Sequence, residues 1–139
     1  MPPFVAHVPM RWTDQDAYRH LNHAMAVTLL EEARVAMVFT AAAEADVRSF
    51  AGGLLVAGLS VEYRGQVRYR PEPLRVAMEV RGVRAASFMI DYAMHSGPDE
   101  SDTIAVAAQT RMAVFDLESQ RPRRLTVDER TWLQRWTTS

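Results

Sequence analysis

Apolar and polar positions alternate along most of the chain, but one long stretch near the N-terminus is almost wholly apolar. In residues 4–12 every second side chain is apolar, which predicts a strand with Phe4, Ala6, Val8, Met10 and Trp12 on one face. Residues 22–45 have apolar side chains on most of the circumference of a predicted helix, and Asn22 is suited to cap its start. A helix that is apolar on nearly all sides must be surrounded by other structure.

Beyond Gly53 the period of the pattern changes to two, which predicts four further strands. Their apolar faces are Leu59, Val61, Tyr63, Val67 and Tyr69, then Leu74, Val76, Met78 and Val80, then Phe88, Ile90, Tyr92 and Met94, and finally Ile104, Val106, Ala108, Met112 and Val114. Arg64, Arg68 and Arg70 alternate with the first of these sets and are predicted to share the opposite strand face. A capping-box pattern at residues 126–129 predicts a short C-terminal helix.

This order of elements favours an α+β fold in one domain that spans residues 1–139. A curved antiparallel sheet wrapped around the long central helix buries that helix, and the short C-terminal helix follows the last strand. A single copy leaves the edges of such a sheet open, so the pattern also predicts that two copies pair.

The composition excludes several classes of function. The chain has 139 residues, is 48% hydrophobic and carries a net charge of −1, so no overall positive field attracts nucleic acid or anionic lipid. The absence of cysteine excludes a disulfide scaffold, a thiolate zinc site and a cysteine nucleophile. All 16 basic residues are arginine, so any bound phosphate must be held by guanidinium groups. The sequence has neither a signal peptide nor an apolar run of membrane-spanning length, and we therefore expect a soluble, cytoplasmic protein without nucleic-acid or membrane partners.

The polar stretch between the first strand and the helix carries the residues best suited to chemistry. Asp16 lies six residues before Asn22, so a loop that folds back would bring its carboxylate towards the first free amides of the helix. Such amides polarise an acyl oxygen, while the carboxylate acts as general base or nucleophile. The alternative is that Asp14 and Asp16 only shape and cap the loop. A metal site formed with His20 and His23 lacks a further strong ligand nearby, and no Gly-x-Ser-x-Gly sequence supports a serine triad.

Residues 11–34 resemble the signature of the hotdog-fold acyl-CoA thioesterases, and they are most similar to the 4-hydroxybenzoyl-CoA thioesterase-like branch. The pattern of that branch is Asp-x-Asp-x-x-Gly-His-x-Asn, followed by a helix that carries Glu-x-Ala-Arg. The order of elements and the length fit this family over essentially the whole chain. The resemblance implies a hotdog fold and hydrolysis of an acyl-CoA thioester to free acid and CoA. It implies no cofactor apart from the coenzyme A of the substrate, and a homodimer or a tetramer built as a dimer of dimers.

The resemblance also assigns roles to individual residues. Asp16 matches the catalytic carboxylate of the family, and the backbone N–H of His23 matches the amide that polarises the thioester oxygen. Asn22 matches the family's asparagine, which caps the helix, places the substrate, or does both. Whether Asp16 attacks the carbonyl or directs a water to it stays open. The motif's glycine is replaced by Arg19, which costs about 1 kcal/mol or more if that position needs a positive φ. This substitution is either a neutral variant or a cation at the mouth of the pocket.

Residues 83–88 resemble the basic turn and strand start that hold the nucleotide end of coenzyme A in this family. The resemblance implies that Arg84 and Ser87 bind the substrate, since an arginine fork and a hydroxyl suit a phosphate. The alternative is an ordinary solvated turn. Arg68, with its neighbours on the predicted arginine face, either lies on a solvated surface or contributes to phosphate binding across a subunit boundary.

Other assignments stay open at the level of sequence. Some hotdog thioesterases use a helix glutamate as the catalytic carboxylate, which makes Glu31 and Glu32 rivals of the loop aspartate, although Glu31 can also pair with Arg34. A hydratase on the same fold, an acyl-carrier-protein thioesterase and a non-catalytic acyl-CoA-binding module are alternative functions. The acyl preference depends on a pocket at a dimer interface, with Leu54, Val56, Leu59 and Met89 as candidate lining residues.

Overall fold

The computed structural model describes residues 2–137 and has one curved sheet around a central helix. The strands are β1 (Phe4–Val8), β2 (Leu54–Tyr63), β3 (Leu74–Arg81), β4 (Ser87–His95), β5 (Ile104–Asp116) and the two-residue β6 (Arg121–Pro122). The central helix consists of α1 (His23–Val35), a π-helical segment (Ala36–Ala41) and α2 (Ala42–Glu44), and α3 (Val127–Arg135) lies near the C-terminus. Short 3₁₀ turns occupy Trp12–Asp14 and Ser49–Gly52.

The five main strands pair antiparallel in the order β1-β3-β4-β5-β2, so β1 and β2 form the two edges of the sheet. Alternate side chains of β3, β4 and β5 point towards the helix and are buried. The large, fully buried apolar side chains include Leu29, Leu30 and Met37 from the helix, Leu74, Met78, Phe88, Ile90, Met94 and Met112 from the sheet, and also Phe50 and Leu133. The predicted α+β hotdog architecture is confirmed. No helix within residues 2–137 is long and apolar enough to cross a membrane.

The two predicted helix starts are confirmed because each depends on a local cap. Asn22 is the N-cap of α1, and its side-chain oxygen accepts a hydrogen bond from the Ala24 amide at 2.9 Å. Thr126 caps α3 in a capping box, in which Thr126 accepts from the Glu129 amide and Glu129 accepts from the Thr126 amide.

Two predicted strand boundaries are wrong. β1 ends at Val8 because Pro9 cannot donate to the ladder, and Trp12 lies in a 3₁₀ turn with 72% of its surface exposed. β2 begins at Leu54, earlier than predicted, and it ends at Tyr63.

Residues 64–73 are not a strand, so the predicted strand face shared by Arg64, Arg68 and Arg70 does not exist. The alternating pattern of this segment has another cause. Val67 is buried, and its carbonyl accepts a hydrogen bond from the Leu21 amide at 2.7 Å. The segment therefore supports the loop before the helix instead of extending the sheet.

Candidate active site

The loop between β1 and α1 folds back on itself as a small hairpin. Gln15 and Leu21 form an isolated antiparallel bridge, and the Asn22 amide donates to the Asp14 carbonyl at 2.8 Å. Closer to the tip, the Asp16 amide donates to the His20 carbonyl at 3.1 Å. These bonds fold the loop back beside the start of the central helix.

Asp14 holds the base of this loop. Its side chain is fully buried and accepts from the Arg11 backbone amide at 2.8 Å and from the Arg11 Nη2 atom at 2.8 Å. The hydrogen bond to Asp14, together with the charge of its carboxylate, raises the pKa of the Arg11 guanidinium. Because both carboxylate oxygens are occupied by donors, Asp14 is suited to a structural role.

Asp16 is bonded much more lightly. Its Oδ1 atom accepts from the Tyr18 amide at 2.9 Å, and no ion pair links its carboxylate to any other residue of the described chain. The Asp16 carboxylate makes no hydrogen bond to the described helix amides. It accepts instead from the Tyr18 amide within its own turn. Asp16 is only partly buried and lines an open cleft of about 600 Å³. Its carboxylate therefore retains acceptor capacity towards the cleft.

The start of α1 supplies an unpaired amide close to this loop. The cap of Asn22 satisfies Ala24, but the His23 amide has no acceptor among the residues that the structure describes. The His23 carbonyl accepts from the Tyr63 hydroxyl at 2.8 Å, and the two rings meet edge to face. This contact fastens the helix start to the end of β2. Sequence reasoning missed Tyr63, because only the tertiary fold brings the strand end to the helix.

Arg19 has a φ of +63° at the tip of the hairpin. The positive φ that the motif's glycine implies is therefore confirmed. A non-glycine residue in this conformation costs about 1 kcal/mol.

A basic cleft lies at the opposite end of the sheet. Arg84 and Ser87 line it together, and the Arg84 amide donates to the Ser87 carbonyl at 2.8 Å. Sequence reasoning missed Arg81 and Arg111, which line the same cleft of about 490 Å³. Both residues pair with Met89 in the sheet, so their proximity depends on strand register, which composition does not reveal. The cleft thus combines three arginines and a hydroxyl.

Arg68 lies apart from this cleft. It lines a different cavity of about 590 Å³ with His20 and Arg70, next to the loop that carries Asp16. One chain therefore does not bring Arg68 and Arg84 together. The two ends of the ten-residue β2 are about 30 Å apart, at 3.3 Å per residue.

The two helix glutamates have different surroundings. Glu31 is exposed and pairs with Arg34 at 3.4 Å, as its spacing predicts. Arg34 also donates to the Tyr92 hydroxyl at 3.2 Å, which in turn bonds to Thr110 at 2.7 Å. Glu32 lines a groove between α1 and β1. Neither glutamate lines the cleft that contains Asp16.

Comparison with known proteins gives one family and many similar folds. The family model described as the thioesterase-like superfamily matches residues 10–136. No curated protein matches the chain.

Several solved structures share the fold over nearly their whole length. A predicted thioesterase from Bacillus stearothermophilus has a TM-score of 0.81 at 16% identity, covering 98% of this chain and 97% of that one. A thioesterase from Thermus thermophilus, complexed with coenzyme A and Zn, has a TM-score of 0.75 at 20% identity, covering 97% and 95%. A 1,4-dihydroxy-2-naphthoyl-CoA thioesterase from Synechocystis has a TM-score of 0.71 at 16% identity, covering 96% and 95%.

At these identities the structural likeness establishes the fold, while the family model establishes the relationship. Because that model covers nearly the whole chain, the protein belongs to the thioesterase-like superfamily and, as its sequence predicts, is a thioester hydrolase with a hotdog fold.

Proposed function

We propose that the protein hydrolyses acyl-CoA thioesters, with Asp16 as the catalytic carboxylate. The observation that carries this proposal is the contrast within one loop: Asp14 is buried and fully bonded, whereas Asp16 faces an open cleft with a single hydrogen bond. The unpaired His23 amide at the start of α1 supplies the complementary group.

In the proposed reaction the thioester carbonyl oxygen accepts a hydrogen bond from the His23 N–H. The partial positive charge of the helix start stabilises the negative charge that develops on this oxygen. In one route Asp16 attacks the carbonyl carbon, the thiolate of coenzyme A leaves, and water then hydrolyses the resulting anhydride to free acid and the Asp16 carboxylate. In the other route Asp16 removes a proton from a water that attacks the carbonyl carbon, and the thiolate leaves directly. Asn22 keeps the helix start in place by capping Ala24.

The basic cleft supports coenzyme A as the leaving group. The Arg84 side chain makes no hydrogen bond or ion pair within the described residues, so its guanidinium is available for a phosphate. Ser87 adds a hydroxyl and Arg111 adds positive charge, whereas the charge of Arg81 is paired with Asp91 at 2.7 Å. The Thermus neighbour is complexed with coenzyme A, and the Synechocystis neighbour is a naphthoyl-CoA thioesterase. These neighbours support the CoA ester as substrate class.

We further propose that the working unit is a homodimer formed through β2. This strand is a ten-residue sheet edge whose outer side pairs with no other described strand, and it exposes Leu55, Val56, Leu59 and Tyr63 to 44–48%. Two-fold pairing of β2 with its copy runs antiparallel and continues the sheet. It brings the Leu54 end of one strand next to the Tyr63 end of the other. Within one chain the basic cleft and the start of α1 lie far apart. In this dimer the basic cleft of one copy would lie near the start of α1 of its partner.

The first test compares thiol release from a panel of acyl-CoAs by the wild type and Asp16→Asn. The amide keeps the shape of the side chain and removes the base, so we expect turnover to fall by about 10³-fold or more. The free energy of unfolding should change by less than about 0.5 kcal/mol, because the amide oxygen still accepts from Tyr18. Retained turnover in the folded variant would overturn the assignment of Asp16.

A complementation experiment tests the composite site. Asp16→Asn and Arg84→Ala chains with different affinity tags are co-expressed, and the mixed dimers are isolated. If each site combines Asp16 of one copy with Arg84 of the other, every mixed dimer has one intact site. Activity at low substrate concentration should then approach half that of the wild type. If both residues belong to one chain's site, the mixed dimer has no intact site and stays as inactive as its parents.

A further inference from the structure

Three residues other than glycine adopt a positive φ within residues 2–137: Arg19 at +63°, Asp46 at +65° and Gln120 at +59°. Two of them form local bonds with their side chains. Asp46 accepts from Arg48 at 2.8 Å, and Gln120 donates to the Leu117 carbonyl at 2.6 Å. The Arg19 side chain makes no hydrogen bond or ion pair with any described residue. Its strained backbone is therefore not offset by any contact of its own guanidinium.

The guanidinium of Arg19, unpaired within the described chain, belongs to a residue that lines the same cleft as Asp16. Its amide donates to the Asp16 carbonyl at 3.0 Å, and the two residues line the same cleft. The other lining residues are Trp12, Thr13 and Gln15, so this cleft contains one acidic and one basic side chain. A substrate that carries negative charge is repelled by the Asp16 carboxylate as it enters. A cation three residues along the same turn reduces that repulsion and offers a fork of donors.

We propose that Arg19 is a specificity residue that binds an oxyanion of the substrate in the cleft beside Asp16. This inference rests on the proposed function only for the position of the substrate. Phosphate and carboxylate both suit a guanidinium fork, so the oxyanion is either a phosphate of coenzyme A or a carboxylate on the acyl group. The arginine that replaces the motif's glycine thereby gains affinity at the expense of backbone strain.

Binding of coenzyme A itself provides a test that does not depend on hydrolysis. Dissociation constants for coenzyme A and for dephospho-coenzyme A are measured by calorimetry on the wild type, Arg19→Gln and Arg19→Gly. Butyryl-CoA, succinyl-CoA and butyryl-pantetheine are measured in the Asp16→Asn background, which removes the proposed catalytic base. We expect both Arg19 variants to bind the ligand that carries the recognised phosphate or carboxylate about 10-fold more weakly than wild-type Arg19 does. This is the effect of losing one charge-assisted hydrogen bond.

The ligands distinguish the two sources of an oxyanion. A loss for coenzyme A that is absent for dephospho-coenzyme A identifies the 3′-phosphate, and an equal loss for both identifies the diphosphate. A loss for succinyl-CoA that is absent for butyryl-CoA identifies an acyl carboxylate. Unchanged affinity for all these ligands, an equal loss for the uncharged butyryl-pantetheine, or no binding to the wild type would overturn the proposal.

The two substitutions separate charge from backbone strain. Arg19→Gly relieves the positive φ, so its melting temperature should be no lower than that of the wild type even though its affinity falls. Arg19→Gln keeps the strain and loses only the charge. The matched control is Gln120→Gly, which relieves a similar φ in the turn before β6 and should leave ligand affinity unchanged. If Asp16→Asn still hydrolyses thioesters while Arg19→Gln binds weakly, the catalytic proposal fails and the role of Arg19 stands.

Discussion

Two segments of the molecule, the loop after β1 and the approach to α3, use the same device. Each has a fully buried carboxylate that an arginine a few residues earlier binds: Asp14 with Arg11, and Glu129 with Arg123. In each, the carboxylate also accepts from a backbone amide at 2.8 Å. Both therefore fold a short polar stretch around one satisfied acid.

The segments differ in where the partners of the buried acid come from, since Asp14 is bound only by Arg11 within the described chain, and in the residues that come after it. Arg123 reaches Glu129 with two nitrogens, at 2.7 and 2.8 Å, and the Ser49 hydroxyl adds a third contact at 2.8 Å from a distant turn. Near α3 the Glu129 carboxylate thus links the start of the helix to Arg123 and Ser49, and we call this set of contacts the α3 joint. In the other loop a second carboxylate, Asp16, lies two residues further along and makes one hydrogen bond. A satisfied acid that fixes a loop next to an unsatisfied one is the arrangement expected of a reactive carboxylate on a rigid support.

The largest effect that this comparison predicts is on stability at the α3 joint. Glu129→Gln removes the charge that Arg123 binds in a buried site, so we expect a loss of about 3 kcal/mol in the free energy of unfolding. Urea denaturation at pH 7 measures this value. Glu100→Gln serves as the control, because Glu100 is an exposed glutamate in a turn. A loss as small as that of the control would show that the joint does not stabilise the fold.

The same variant has a defined pH dependence. Burial alone would raise the pKa of Glu129, but the hydrogen bonds from Arg123, the Thr126 amide and Ser49 outweigh burial and lower it. A lowered pKa in the folded state means that the ionised carboxylate stabilises the protein above its unfolded pKa of about 4.3. This contribution is lost as the pH falls through the folded pKa. The difference between wild type and Glu129→Gln should therefore be constant from pH 7 to about pH 5 and shrink below that range.

The parts of the fold that local chemistry determines were predictable from the sequence. Asn22 and Thr126 cap their helices through bonds to residues two and three positions away, so their patterns are complete within a few residues. The end of β2 was not predictable, because Val67 continues the alternation only to support a loop that is distant in sequence. The proximity of Arg81 and Arg111 likewise depends on strand register.

In the candidate site, too, sequence composition alone does not predict what individual residues do. Asp14 and Asp16 are the same residue type two positions apart, and composition does not distinguish them. Resemblance to a family pattern selected Asp16, and the contacts of Arg11 give a physical reason for the difference between the two acids. The family pattern indicated the positive φ of Arg19, whereas its place in the same cleft as Asp16 depends on how the loop folds.

A smaller effect on stability is expected for Asp14→Asn, and it separates the two acids directly. Arg11 is 60% exposed, so water partly replaces its bonds to Asp14, and we expect a loss of about 2 kcal/mol. The amide also directs an N–H group towards the guanidinium, which loosens the base of the hairpin and should lower turnover more modestly than Asp16→Asn does. Chemical denaturation and thiol release, measured on the same preparations, give the two quantities. The expected pattern is reciprocal: Asp14→Asn loses mainly stability, and Asp16→Asn loses mainly turnover. If both variants lost the same share of each, the division between a supporting and a reactive carboxylate would be wrong, and the loop would act as one unit.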